Sequence, residues 1–167
     1  EDEAQAHHLR TSVKERAENV MIVDLLRNDV SRIAQPHSVK VPRLFHTQAL
    51  PTLWQMTSDV TAQTRVGTRL VDVFAALFPC GSVTGAPKVQ AMRLIAELEN
   101  APRGIYCGAL GVVRPGARPG SLRATFNVPI RTLALHEKAH VDAVQCGIGS
   151  GITASANAAD EGIEWQH

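Results

Sequence analysis

Apolar side chains recur every three to four positions at the start of the chain. Over residues 2–34, Leu9, Val13, Ala17, Val20, Met21 and Leu25 fall on one stripe, with no proline to interrupt it. That spacing predicts one long amphipathic helix. Pro36 ends it, and the run Ser38, Val39, Lys40, Val41, Pro42 alternates as a short strand does. Residues 52–64 are rich in β-formers and predict another strand. After Gly67 the helical spacing returns at Leu70, Val73, Phe74 and Leu77, a helix over about residues 69–77. A loop carrying Gly81 and Gly85 follows. Pro87 stands where a first helical residue would, and the helix it opens runs to about Glu99.

From about residue 105 the pattern changes to strands. IYCGALGVV leads into the hairpin RPGARPGS and returns as LRATFNVPIRTLAL. A tight turn at His136, Glu137 and Lys138 then leads into AHVDAVQCGIG. These three runs predict a three-stranded antiparallel meander. Residues from Ala156 onward begin a last helix. Helix, strands, two helices, strands and helix make an α+β class rather than a regular βαβ parallel sheet.

Composition narrows the partners. A chain of 167 residues fits one domain, and 44% apolar with 20% charged residues describes an ordinary globular protein. The formal net charge of +1 gives no electrostatic case for nucleic acid or a membrane surface. Seven aromatic residues, none interleaved with basic ones, argue against base-stacking platforms. Cys80, Cys107 and Cys146 are widely spaced without a C-x-x-C, which disfavours zinc and disulfides and makes a reducing cytoplasm the expectation. No run approaches the roughly 20 apolar residues of a membrane span.

Candidate chemistry sits in four places. Glu15 and Glu18, then Glu161 and Glu164, form Glu-x-x-Glu pairs in segments that read as helix, where residues three apart share a face. Gathered together they suit Mg²⁺, a hard cation that takes oxygen ligands; taken singly, each pair also reads as a solvated helix face. Residues 81–88, GSVTGAPK, give a turn into a helix whose free N–H groups attract anions, or simply a helix entry. Arg131 follows two apolar strand residues and can clamp a carboxylate or face solvent. The run GIGSG at residues 147–151 permits close backbone approach to a ligand, or a strand-to-helix turn. Asp29, with Arg27 and Asn28, reads as a structural cluster.

In combination and in this order, AENVMIVDLLRNDVSRIA, FPCGSVTGAPKVQAMRLIAELE, RGIYCGALGVV, FNVPIRTL and GIGSGIT resemble the chorismate-utilising enzymes over nearly the whole chain. The resemblance implies a fold of antiparallel sheets flanked by helices. FP-x-GS-x-TGAPK, YCGA and FNVPIRT are most similar to the aminodeoxychorismate synthase component I branch. That branch implies Mg²⁺-dependent amination of chorismate to 4-amino-4-deoxychorismate, on the route to p-aminobenzoate and folate, with ammonia from a glutamine amidotransferase partner. Anthranilate synthase component I, or a non-catalytic binding or scaffold piece, are the alternatives.

By the same resemblance, Glu18 and Glu164 match the metal ligands, and Glu15 and Glu161 match carboxylates that hold metal-bound waters. Tyr106 and Arg131 match residues that hold the enolpyruvyl carboxylate. Gly149 and Gly151 match backbone donors to the same end, and Ser82 matches a hydroxyl near the ring. Residues 1–167 read as the second half of the catalytic domain. The branch's nucleophilic lysine, in a PIKGT motif, is expected upstream and the domain's last helix beyond His167, so the chain alone is expected to be inactive. Gln55 stands where many relatives have histidine, Cys80 where they have glycine, and Ser155, Ala156 and Asn157 where they have an Asp-containing turn.

Overall fold

The structure, a computed structural model, describes residues 2–138, 141–153 and 156–164. The chain divides into two units, Glu1–Lys88 and Val89–His167.

In the first unit, the single helix expected over residues 2–34 is two: α1 (Asp2–Thr11) and α2 (Val13–Ser31). Ser12 separates them. Its backbone leaves the helical region (φ −59°, ψ 119°) and its hydroxyl accepts the Glu15 N–H at 3.3 Å. A serine that caps one helix satisfies donors that an uninterrupted helix would bond internally, and it begins α2 afresh.

An antiparallel pair follows, β1 (Lys40–Ala49) and β2 (Trp54–Thr61). The strand expected to stop at Pro42 continues for seven more residues to Ala49. Register shifts fall between Lys40 and Arg43 and between Arg43 and His46, and Phe45 has φ 56°. These irregularities absorb the missing proline N–H without ending the pairing. Farther along the pair, Gln48 faces Gln55. Then come α3 (Leu70–Leu77) and a 3₁₀ turn at Gly81–Val83. Ala6, Val23, Ala34 and Ala76 are the apolar residues buried in this unit. Helix α4 (Lys88–Leu98) begins at the unit's last residue, directly after Pro87.

The second unit carries β3 (Leu110–Pro115), β4 (Leu122–Asn127), β5 (Leu133–Lys138), β6 (Val141–Cys146) and α5 (Ala158–Glu164). The expected three-stranded meander is two separate antiparallel pairs, β3 with β4 and β5 with β6. Its middle strand breaks over residues 128–132. Pro129, which has no N–H to give a ladder, is fully buried there, Ile130 N–H turns back to the Val128 carbonyl at 3.0 Å, and Arg131 takes φ 51°. The turn expected at His136, Glu137 and Lys138 lies instead within β5, whose Lys138 pairs with Val141. Asn157 starts α5 by accepting the Ala159 N–H at 2.8 Å. The class is α+β, with small antiparallel sheets and flanking helices. Among the described residues no single helix is long and apolar enough to cross a membrane.

Candidate functional site

One face of α2 organises the first unit. Glu15, Glu18, Ile22, Leu25 and Asp29 follow one another at alternating steps of three and four, so they share a stripe along the helix. Glu15 is exposed and Glu18 half-buried. Carboxylate oxygens are the donor chemistry that Mg²⁺ takes.

Farther along the stripe, the 3₁₀ turn is seated on the helix. A Cβ on Gly81 would lie 3.2 Å from Leu25 Cβ, so glycine permits the close approach. One turn on, the buried Asp29 carboxylate accepts from Lys88 Nζ at 2.5 Å, with side-chain exposures of 8% and 18%. The turn that carries Ser82 is thus held between Leu25 and an ion pair. Ser82 itself is exposed, its Oγ 3.2 Å from Cys80 Sγ.

The β1–β2 pair meets the same helix on an adjoining face. Ser58 Oγ donates to Asn19 Oδ1 at 2.6 Å and accepts the Phe45 N–H at 3.0 Å. The Arg16 guanidinium stands 4.7 Å from the Phe45 ring centroid. Gln55 is exposed on β2.

In the second unit the turn at residues 104–108 presents Tyr106. Its backbone is tied down twice: Tyr106 N–H donates to the Arg103 carbonyl at 3.2 Å, and Cys107 N–H to the Pro129 carbonyl at 2.9 Å. Arg103 is itself held by a two-pronged contact with Glu99, at 2.6 and 2.9 Å. The guanidinium lowers the Glu99 carboxyl below its usual value, and the carboxylate raises the arginine. Burial is the main cause that lifts the Tyr106 phenol above 10.0, with Cys107 adding to it and Arg103 opposing.

The glycine run lies along the Tyr106 ring. A Cβ on Gly147 would fall 2.4 Å from the ring Cγ, and one on Gly149 3.0 Å from the phenol oxygen. Between Gly149 and Gly151, Ser150 Oγ is buried without a hydrogen-bond partner among the described residues. Arg131 lies two residues beyond Pro129, in the segment bonded to the Tyr106 turn, with an exposed side chain and a left-handed backbone.

Of the expected site residues, Tyr106 and Gly149 are therefore in contact, Arg131 lies in a segment bonded to the Tyr106 turn, and Gly151 is two residues beyond Gly149. Ser82 is exposed on the turn that Gly81 seats against Leu25, on the α2 stripe that also bears Glu15 and Glu18. The backbones of Glu161 and Glu164 lie in α5; their side chains, like the turn residue Ser155, lie outside the described residues. Among the described residues no three His, Cys, Asp or Glu side chains gather as a metal site. The reading from residues missed the Asp29–Lys88 pair as a support of the Ser82 turn. The step of eleven from Glu18 to Asp29, three turns along one face, puts Asp29 on the stripe but carries no signal for its partner Lys88.

The chorismate binding enzyme family matches residues 1–167. Aminodeoxychorismate synthase component 1 of Salmonella typhimurium is 41% identical over 156 residues, 93% of this chain and 32% of that protein. Anthranilate synthase component 1 of Saccharomyces cerevisiae is 48% identical over 111 residues, 66% of this chain and 22% of that protein. The crystal structure of anthranilate synthase component I from Streptococcus pneumoniae TIGR4 matches with a TM-score of 0.78 at 32% identity, covering 99% of this chain and 36% of its own. The chain spans about a third of the length of the aminodeoxychorismate synthases it matches in Salmonella, Klebsiella and Escherichia. Matched from end to end, and folded like a solved relative, the chain belongs to the chorismate-binding enzyme family.

Proposed function

We propose that the intact protein containing this chain aminates chorismate to 4-amino-4-deoxychorismate in the cytoplasm, with ammonia delivered by a glutamine amidotransferase subunit. The observation that carries this reading is the meeting of Tyr106 with the 147–149 glycine run, beside the segment that bears Arg131. A phenol and glycine amides so grouped, with an arginine borne on the adjoining segment, are donors suited to one carboxylate of a small dianion. Relatives named aminodeoxychorismate synthase match most of this chain, which favours this product over others.

In this reading Arg131 and Tyr106 hold the enolpyruvyl carboxylate, and the N–H groups of Gly149 and Gly151 donate to the same end. The Ser82 hydroxyl orients the ring. By the family resemblance, Glu18 and Glu164 would be the residues that hold the metal, and Glu15 and Glu161 those that hold its waters. When bound, Mg²⁺ supplies charge neutralisation at the ring carboxylate as the C4 hydroxyl departs.

The second reading, anthranilate formation, is favoured by the 48% identity with the yeast enzyme. Incubating the full-length protein with chorismate, ammonia and Mg²⁺, and separating the products by chromatography, decides between them. 4-Amino-4-deoxychorismate is expected; anthranilate moves the protein to the other branch, and no turnover of chorismate defeats both.

A further inference from the structure

Glu99 and Arg103 bracket Asn100, Ala101 and Pro102, which lie between α4 and the Tyr106 turn in neither helix nor strand. Glu99 prolongs the helix, its N–H donating to the Ile95 carbonyl at 2.9 Å. Its carboxylate accepts two hydrogen bonds from Arg103, Nη2 to Oε1 at 2.6 Å and Nε to Oε2 at 2.9 Å. With 26% of the arginine and 40% of the glutamate side chain exposed, the pair gains little net stability. What the fork supplies is geometry, because two parallel bonds fix the guanidinium plane where one would let it swivel.

The Arg103 carbonyl in turn accepts the Tyr106 N–H, and Gly108 N–H donates to the Ile105 carbonyl at 3.0 Å. The ring itself lies so close to Gly147 that an added Cβ would fall 2.4 Å from its Cγ. A ring pressed against backbone cannot swing to offset a displaced turn, so the turn sets where the phenol stands. The Arg103 charge also reaches that phenol: burial raises its ionisation, Cys107 and Glu99 push it the same way, and Arg103 pulls it down.

We propose that Arg103, clamped by Glu99, is a positioning residue that braces the turn on which Tyr106 meets its ligand. The inference rests on the chorismate reading, in which Tyr106 holds the substrate, and adds the pair that acts through it.

In full-length protein, Arg103→Met and Glu99→Ala should each weaken chorismate binding by about fivefold, as read by equilibrium dialysis. The Tyr106 hydrogen bond is then loosened rather than removed. KM should rise with kcat nearly unchanged, because that bond is present in ground and transition states alike. The unfolding midpoint should hardly move, the pair being largely exposed. A double-mutant cycle with Tyr106→Phe separates this role from direct contact. Once the hydroxyl is gone, Arg103→Met should weaken binding no further. Additive losses would mean that Arg103 reaches the substrate by itself, and they overturn the inference. So does a dissociation constant that either single variant leaves unchanged, whether or not the midpoint falls. Tyr106→Phe protein that binds as tightly as wild type defeats the role given to Tyr106 and this inference with it. Wild-type protein that binds no chorismate defeats the functional reading as well.

Discussion

Tyr106 is the single tyrosine of the chain, so its titration can be followed without a competing signal. Burial favours the neutral phenol and holds its ionisation above 10.0. The sign follows directly. Below pH 10 both folded and unfolded chains carry the proton, and the stabilisation is complete. As pH rises past 10 the unfolded chain loses it first, so stability is lost through the folded value. The ultraviolet absorbance of tyrosinate should therefore appear at higher pH in folded than in urea-unfolded protein; coincident curves would mean an open phenol.

Asp29 makes a second prediction at this scale. Removing one partner of a buried ion pair strands the other, at about 3–5 kcal/mol. Asp29→Ala should lower the unfolding free energy measured by urea titration by that amount, while Asp29→Leu joined with Lys88→Met should recover most of it. Both residues stood in motifs that carried the family resemblance, yet their pairing was not legible, because nothing local in a sequence couples positions 29 and 88. Tyr106 and Gly149 were legible only through the resemblance. Spacing alone left the glycine run as readily a turn as a binding loop.

Among elements, helices were read well in type and poorly in extent. The stripe Leu9 to Leu25 continues across Ser12 without a break in period, so periodicity alone joined α1 to α2. The pattern Ser12-x-x-Glu15 was the available clue, since the serine accepts the N–H of the third helical residue. Ser12→Ala should weaken the start of α2 by about 1 kcal/mol, seen as faster amide exchange over residues 13–16. Because Glu15 supplies the capped N–H, the fraying would begin at the first acidic pair. Exchange no faster than in wild type would assign the break to packing instead. Strands were misread wherever proline or a left-handed residue intervened. Pro42 reads as a terminus where β1 runs on through a bulge, while Pro129, inside an unbroken strand pattern, marks a true interruption.

For the molecule as a whole, class and family were legible, and the partition into strand pairs was not. Long motif blocks in a fixed order identify a family because they record many contacts at once. A meander depends on which edges meet, which periodicity does not encode. Every residue of β3 and β4 is exposed, so no buried face singled out one strand partner over another. The 147 position, by contrast, admits no latitude. Any missense change there, starting with the smallest, drives a methyl or larger group into the middle of an aromatic ring whose turn is bonded on both sides. In a population of natural variants this codon should therefore stand silent, and drift in substrate preference must be written elsewhere in the gene.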